Sequence, residues 1–188
     1  MAFMRIAISG PTGCGNSTAS TIVSQSLGFP KFNYTFHNLA NDLGIPFNAL
    51  HSLADETPKY DFMLDEKQVQ FVLENKNCVV GTRLAVFLPQ VAAKLEKPKP
   101  KFDLKVWLYA PLAVRAQRIA DRDGRSFEEA LKEVVYRDDS NKTRYKKLYG
   151  IEYAEPEGCL VIDTDAFEVE ETAKKILDAI KNKKQRKA

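Results

Sequence analysis

The stretch Ile6-Ala7-Ile8-Ser9-Gly10-Pro11-Thr12-Gly13-Cys14-Gly15-Asn16-Ser17-Thr18 passes from a short apolar run through a glycine-rich loop into a helical pattern. Gly10, Gly13 and Gly15 allow backbone angles that turn successive amide N–H groups toward one concavity. A helix opening near Asn16 adds its positive N-terminal end. The product is an anion cradle the size of a di- or triphosphate, with Thr12, Cys14, Asn16, Ser17 and Thr18 joining the three glycines as expected contacts. Ser17 stands where this type of loop puts a hydroxyl on Mg²⁺. The same pattern asks for lysine at position 16; the Asn16 amide donates hydrogen bonds to phosphate oxygens but brings no charge.

Outside the loop the chain reads as one globular domain, with 188 residues of which 44% are apolar. The formal charge of +3 belongs to the end of the chain. Lys181 to Ala188 hold five basic residues and no acidic one, leaving 23 basic against 25 acidic residues in the body. A nucleic-acid partner is therefore not expected, and the tail from 183 to 188 reads as a solvated end. No apolar run reaches membrane length and the N-terminus lacks a signal peptide's apolar core, so no membrane association is expected. Cys14, Cys78 and Cys159 are odd in number and lack metal spacing, which fits buried or site-lining thiols of a reducing compartment. The expectation is a cytoplasmic protein acting on small molecules, with a monomer favoured and the oligomeric state left open.

Met4 to Ser9 reads as a first strand covered on both faces, and Gly28 stops the helix that follows the loop. Lys31 to Thr35, with Phe32 and Tyr34 alternating, reads as a second strand. Residues 36 to 74 read as a helical insert with turns at Gly44-Ile45-Pro46 and Thr57-Pro58. Asn77 to Gly81, Leu104 to Tyr109 and Leu160 to Asp163 complete a set of strands that alternate with helices at Leu84 to Leu95 and Glu168 to Lys183. This alternation predicts an α/β fold whose mainly parallel sheet binds phosphate beyond its carboxyl edge.

Two helices between the last two strands carry a second set of candidate residues. In Pro111 to Asp123, Arg115, Arg118 and Arg122 recur at steps of three and four and share a face. Ser126-Phe127-Glu128-Glu129 is a capping box, and on the helix it opens Arg137, Asn141 and Arg144 are again four and three apart. Two arginine faces joined by a glycine turn can fold over a triphosphate and neutralise the charge that spreads during phosphoryl transfer.

With the loop, Phe36-His37-Asn38-Leu39-Ala40, Arg83-Leu84-Ala85, Arg115 with Arg118, and Arg137-Asp138-Asp139-Ser140-Asn141-Lys142-Thr143-Arg144-Tyr145, the chain resembles the nucleoside monophosphate kinases, and among them cytidylate kinases of the shorter archaeal type. The resemblance runs from about Arg5 to Ile180. It implies a P-loop NTPase three-layer fold with a five-stranded parallel sheet, a core at 1–35, 75–111 and 158–182, a monophosphate-binding insert at 36–74 and a lid at 112–157. It further implies ATP in the loop with Mg²⁺ on Ser17, Arg83 as the clamp on the acceptor phosphate, and Arg118, Arg122, Arg137 and Arg144 as lid and transfer arginines. The acceptor phosphate is already a nucleophile at neutral pH, so alignment and charge neutralisation carry the reaction.

The sequence departs from that pattern at several positions. Asn16 replaces the loop lysine, as in archaeal-type relatives, which also lack it. His37 stands where the family usually has a phosphate-binding arginine, and binding there would weaken as pH rises through the histidine range. A family acidic residue aligns with Gly81 or Thr82, and Asn141 fills a slot often held by a carboxylate. Asp61 and Asp65, four apart on one helix, are candidates for the acceptor side. The first reading is phosphorylation of CMP or dCMP by ATP. A nucleotide-binding switch with weak turnover and a P-loop kinase for another small acceptor are the alternatives.

Overall fold

β1 (Met4–Ser9), β2 (Asn77–Gly81), β3 (Leu104–Tyr109) and β4 (Leu160–Asp163) form one parallel sheet in the order β2-β1-β3-β4. The helices in chain order are α1 (Asn16–Leu27), α2 (Phe36–Leu43), α3 (Phe47–Glu56), α4 (Lys59–Glu74), α5 (Leu88–Lys94), α6 (Leu112–Asp123), α7 (Phe127–Tyr149) and α8 (Val169–Gln185). The computed structural model describes residues 3–185, without the side chains of residues 47, 48, 51, 52, 55 and 184. Residues 186–188 of the basic tail lie outside it.

Strand alternation sorts the core into two halves. Ile6, Ile8, Val79, Val106 and Leu108 pack on one face against Ala19 and Val23 of α1 and Ala173, Ile176 and Ile180 of α8. Ala7, Cys78, Val80 and Trp107 pack on the other against α4, α5 and α7. The sheet is thus covered on both sides, which is why β1 and β2 read as near-continuous apolar runs. No helix among the described residues is long and apolar enough to cross a membrane.

The expected five-stranded sheet is corrected to four strands. Lys31 makes a single parallel bridge to Val79, with Phe32 N donating to Val79 O and Val79 N to Pro30 O, both at 3.0 Å. The ladder stops on both sides for local reasons. Pro30 has no N–H to extend it backward, and Thr35 is already the N-cap of α2, in a reciprocal capping box with Asn38.

The helical stretch from 36 to 74 divides at the expected turns, and Leu39, Ala40 and Leu50 form a small core of their own there. Leu84 to Leu95 opens as one 3₁₀ turn, Ala85–Phe87, before α5. The Ser126–Glu129 capping box forms as expected, and α6 and α7 pack through Ala116, Ile119, Ala120, Ala130 and Val134.

Of the two positions that align with the family acid, Gly81 has no room for a side chain. A Cβ there would stand 2.0 Å from Ser20 Oγ and 2.9 Å from Asn16 O, so α1 sits on bare backbone. Gly81→Ala is expected to cost about 1–3 kcal/mol of unfolding free energy through overpacking, and Ser20→Gly to recover part of it, as urea denaturation of the single and double variants will read.

Candidate active site

The carboxyl ends of β1, β2 and β3 feed the loop, the Thr82-Arg83 corner and α6, so chemistry-bearing residues distant in sequence converge at one edge of the sheet. Gly15 caps α1 at φ 86° with no side-chain cap and no acid in the first turn. The helix therefore presents unclaimed amides and its positive end to the cleft in front of it. Gly13 holds φ 85°, and a Cβ on it would meet Arg115 O at 2.9 Å.

That cleft encloses about 470 Å³ and is lined by residues 11 to 18, the Gly81-Thr82-Arg83 corner, Arg118, Ile119, Arg122 and Arg137. Four guanidinium groups and no carboxylate line it, so the positive charge absent at Asn16 is present on arginines from three other elements. Asn16 itself folds back, its Nδ2 donating to Gly10 O at 2.8 Å, and the Tyr153 hydroxyl donates to the same carbonyl at 2.9 Å. Gly10 thus lies behind the loop and does not line the cleft.

The expected arginine face of α6 splits. Arg118 and Arg122 line the cleft, Arg118 steadied by donating to Thr164 Oγ1 at 2.9 Å and Arg122 by a two-point pair with Asp123. Arg115 turns inward and is buried, donating to Ala110 O at 3.1 Å and Thr12 O at 2.9 Å and pairing with Asp138 at 2.6 Å. It supports the loop from behind and takes no part in a lid face, because the Ala116, Ile119 and Ala120 packing fixes how α6 is turned.

A second cavity of about 660 Å³ adjoins the first and shares Thr82, Arg83 and Arg137 with it. Every residue proposed for the acceptor side lines it: His37, Asp61, Asp65, Arg83, Arg137, Asn141 and Arg144. Arg144 reaches Asp61 through Nε at 3.0 Å, with a second contact through its terminal nitrogen. Arg137 pairs with Glu133 at 3.1 Å, and His37 is exposed at α2. Desolvation pulls down the pKa of Arg83, but the Tyr145 and Tyr153 phenols and Asp138 leave it raised overall, so its charge persists.

Asp65 is buried, with Tyr149 Oη donating at 2.5 Å and Gln68 Nε2 at 2.7 Å. Desolvation pushes its carboxyl up to about 7, outweighing the hydrogen bond from Tyr149, while nearby Asp61 adds to the rise. Gln68 Oε1 in turn accepts from Thr82 Oγ1 at 2.7 Å, which ties α4 to the corner between the cavities. Burial drives the Cys14 thiol to about 11 despite the charge of Arg115, so it is a packed group and no nucleophile.

Sequence reasoning did not identify Gln68, Thr82, Glu133, Tyr136 and Asp138 as site residues. Gln68 had a signal, since it follows Asp61 and Asp65 at helical steps of four and three. Asp138 stands in the Arg137–Tyr145 motif, but nothing local pairs it with Thr12, 126 residues away.

A parallel sheet with a glycine loop leading into a helix, and an arginine-lined cleft opening onto a mixed acceptor cavity, define a P-loop kinase. Residues 5–166 match the cytidylate kinase-like family, and the chain belongs to that family. It is a nucleoside monophosphate kinase, a class for which ATP is the phosphate donor. Cytidylate kinase 2 of Borrelia garinii subsp. bavariensis is 33% identical over 182 residues, spanning 94% of this chain and 96% of its own. Cytidylate kinase of Archaeoglobus fulgidus is 33% identical over 184 residues, spanning 96% and 97%. Deoxyadenosine kinase from M. mycoides with bound dATP shares the fold at a TM-score of 0.60 and 18% identity, over 95% of this chain and 100% of that one.

A carboxyl whose pKa is raised in the folded state contributes stability that is whole below the unfolded value and is lost as pH rises through the folded one. Asp65 therefore makes the protein less stable as pH rises from the ordinary 3.8 to about 7. Urea midpoints measured across that range are expected to fall more steeply for the wild type than for Asp65→Asn.

Proposed function

We propose that this kinase transfers the γ-phosphoryl group of ATP to CMP and dCMP, giving CDP and dCDP. The observation that carries the reading is the pair of cavities meeting at Thr82, Arg83 and Arg137, one lined by arginines without acids and the other by acids, amides and arginines together. The triphosphate lies in the loop cleft, on the amides of Gly13 and of residues 15 to 18 and beneath Arg118 and Arg122. The acceptor lies in the second cavity, its phosphate toward Arg83 and Arg144, with residues 36–74 as the monophosphate insert and 112–157 as the lid.

A phosphate oxygen of the acceptor forms the new bond to the γ-phosphorus as the bond to the bridging oxygen of ADP breaks. Arg83 and Arg137, at the junction, meet the charge that spreads over the transferring group, which costs least when the donors are already in place. Asp61 holds Arg144 toward the acceptor, and the Asp65–Gln68 pair offers acceptors and a donor to the amino and keto edge of cytosine.

The donor set at the loop fits magnesium arriving on the triphosphate. Ser17 lines the cleft, whereas no group of three or more His, Cys, Asp or Glu side chains among the described residues could hold an ion by itself. When bound, Mg²⁺ withdraws charge from the phosphate oxygens.

ADP release with ATP and Mg²⁺ is to be measured with CMP, dCMP, UMP, AMP and GMP in parallel. Turnover concentrated on CMP and dCMP is expected; comparable turnover on UMP or a purine monophosphate overturns the base assignment. Arg83→Ala and Arg137→Ala are each expected to lower kcat/KM by about 100- to 1000-fold with the melting temperature nearly unchanged, the loss typical of a donor acting on developing charge. Near-normal rates would remove these arginines from the transfer step.

A further inference from the structure

The backbone of Thr12 is clamped on both of its polar groups. Its N–H donates to Asp138 Oδ1 at 3.1 Å, its carbonyl accepts from Arg115 Nη1 at 2.9 Å, and Arg115 Nη1 closes the ring on Asp138 Oδ2 at 2.6 Å. All three residues are buried, at 6%, 8% and 9% exposure for Thr12, Arg115 and Asp138. One amide of the phosphate loop is thereby committed to a carboxylate of α7. The same helix carries Arg137 to both cavities and Ser140, Asn141 and Arg144 to the acceptor cavity, one to two turns further on. None of residues 10 to 18 lines the acceptor cavity. The loop and the acceptor cavity are thus joined by one continuous helix that touches each, and its joint to the loop is a buried charge pair.

We propose that Asp138 is a positioning residue that couples the two sites: occupancy of the acceptor cavity settles α7, and α7 through Asp138 and Arg115 sets the loop for the triphosphate. The proposal rests on the reading of the two cavities as donor and acceptor sites and not on the identity of the base. Asp138 touches neither substrate. Its action is on the Thr12 amide plane, which orients the first turn of the cradle. Coupling of this kind is reciprocal, so the donor tightens the acceptor by the same factor.

The test is calorimetric binding of a non-hydrolysable ATP analogue with Mg²⁺ to the full chain, with and without a saturating monophosphate, using whichever of the five acceptors gives the highest turnover. Because that acceptor is chosen by assay, failure of the CMP assignment and failure of the coupling are read separately. In the wild type the acceptor is expected to tighten the analogue by about fivefold or more. Asp138→Asn keeps an oxygen for the Thr12 N–H and removes the charge facing Arg115, and is expected to bring the ratio close to one. Arg115→Lys keeps the charge but loses the planar fork, and is expected to lower the ratio too. A purely structural role would lower the melting temperature of both variants and leave the ratio as in the wild type, which overturns the proposal.

Hydrogen exchange in the wild type needs no variant. The monophosphate alone is expected to slow exchange of the amides of residues 12 to 17, and unchanged exchange there overturns the coupling even if neither variant folds.

Discussion

Three chain segments meet at a single residue, Thr12, whose N–H and carbonyl are both bound by a buried Arg115–Asp138 ion pair. A charge pair removed from water repays its desolvation only when geometry is good and the remaining donors and acceptors are used. Here Arg115 also reaches Ala110 O, so the pair is embedded in backbone contacts from the loop and from the turn before α6. A glycine-rich loop has little intrinsic order, and this one makes few backbone hydrogen bonds of its own, such as Cys14 N to Pro11 O at 3.3 Å. Its shape is held from behind, by Arg115 and Asp138 at Thr12 and by Asn16 and Tyr153 at the Gly10 carbonyl.

Holding the loop from behind leaves its front free for an anion. The first-turn amides of α1 have no side-chain cap, and the surrounding positive charge comes from arginines of the β2 corner, α6 and α7. This distribution explains how a loop without lysine can still lie in an electropositive cleft. The charge is delocalised over planar donor forks that converge from several elements, each steadied by its own partner: Thr164 for Arg118, Asp123 for Arg122, and Glu133 for Arg137.

Much of this was legible in the chain because much of it is local. Strand bounds at Met4–Ser9, Asn77–Gly81, Leu104–Tyr109 and Leu160–Asp163 follow from apolar runs closed by turn residues, and the helix at Phe127 follows from its capping box. The strand expected at Lys31–Thr35 had the alternation but not the edge: Pro30 and the capping role of Thr35 confine it to one bridge. Arg115 shows a second limit. Spacing established that it shares a turn pattern with Arg118 and Arg122, but periodicity says which residues neighbour one another, not which of them meets solvent, ligand or core.

His37 and Arg83 became candidates through the family resemblance, whereas local rules account for the phosphate cradle, the alternation of strands and helices, and the spacing that groups Asp61 with Asp65, Arg118 with Arg122, and Arg137 with Asn141 and Arg144. Those properties depend on backbone freedom, side-chain chemistry and helical or strand period, all written within a few residues of one another. The meeting of two cavities at Thr82, Arg83 and Arg137, the burial that raises Asp65, and the closure of Arg115 and Asp138 on Thr12 depend on packing between segments far apart in the chain. Desolvation and hydrogen-bond geometry have no value until those segments are in contact, and so only the folded molecule could supply them.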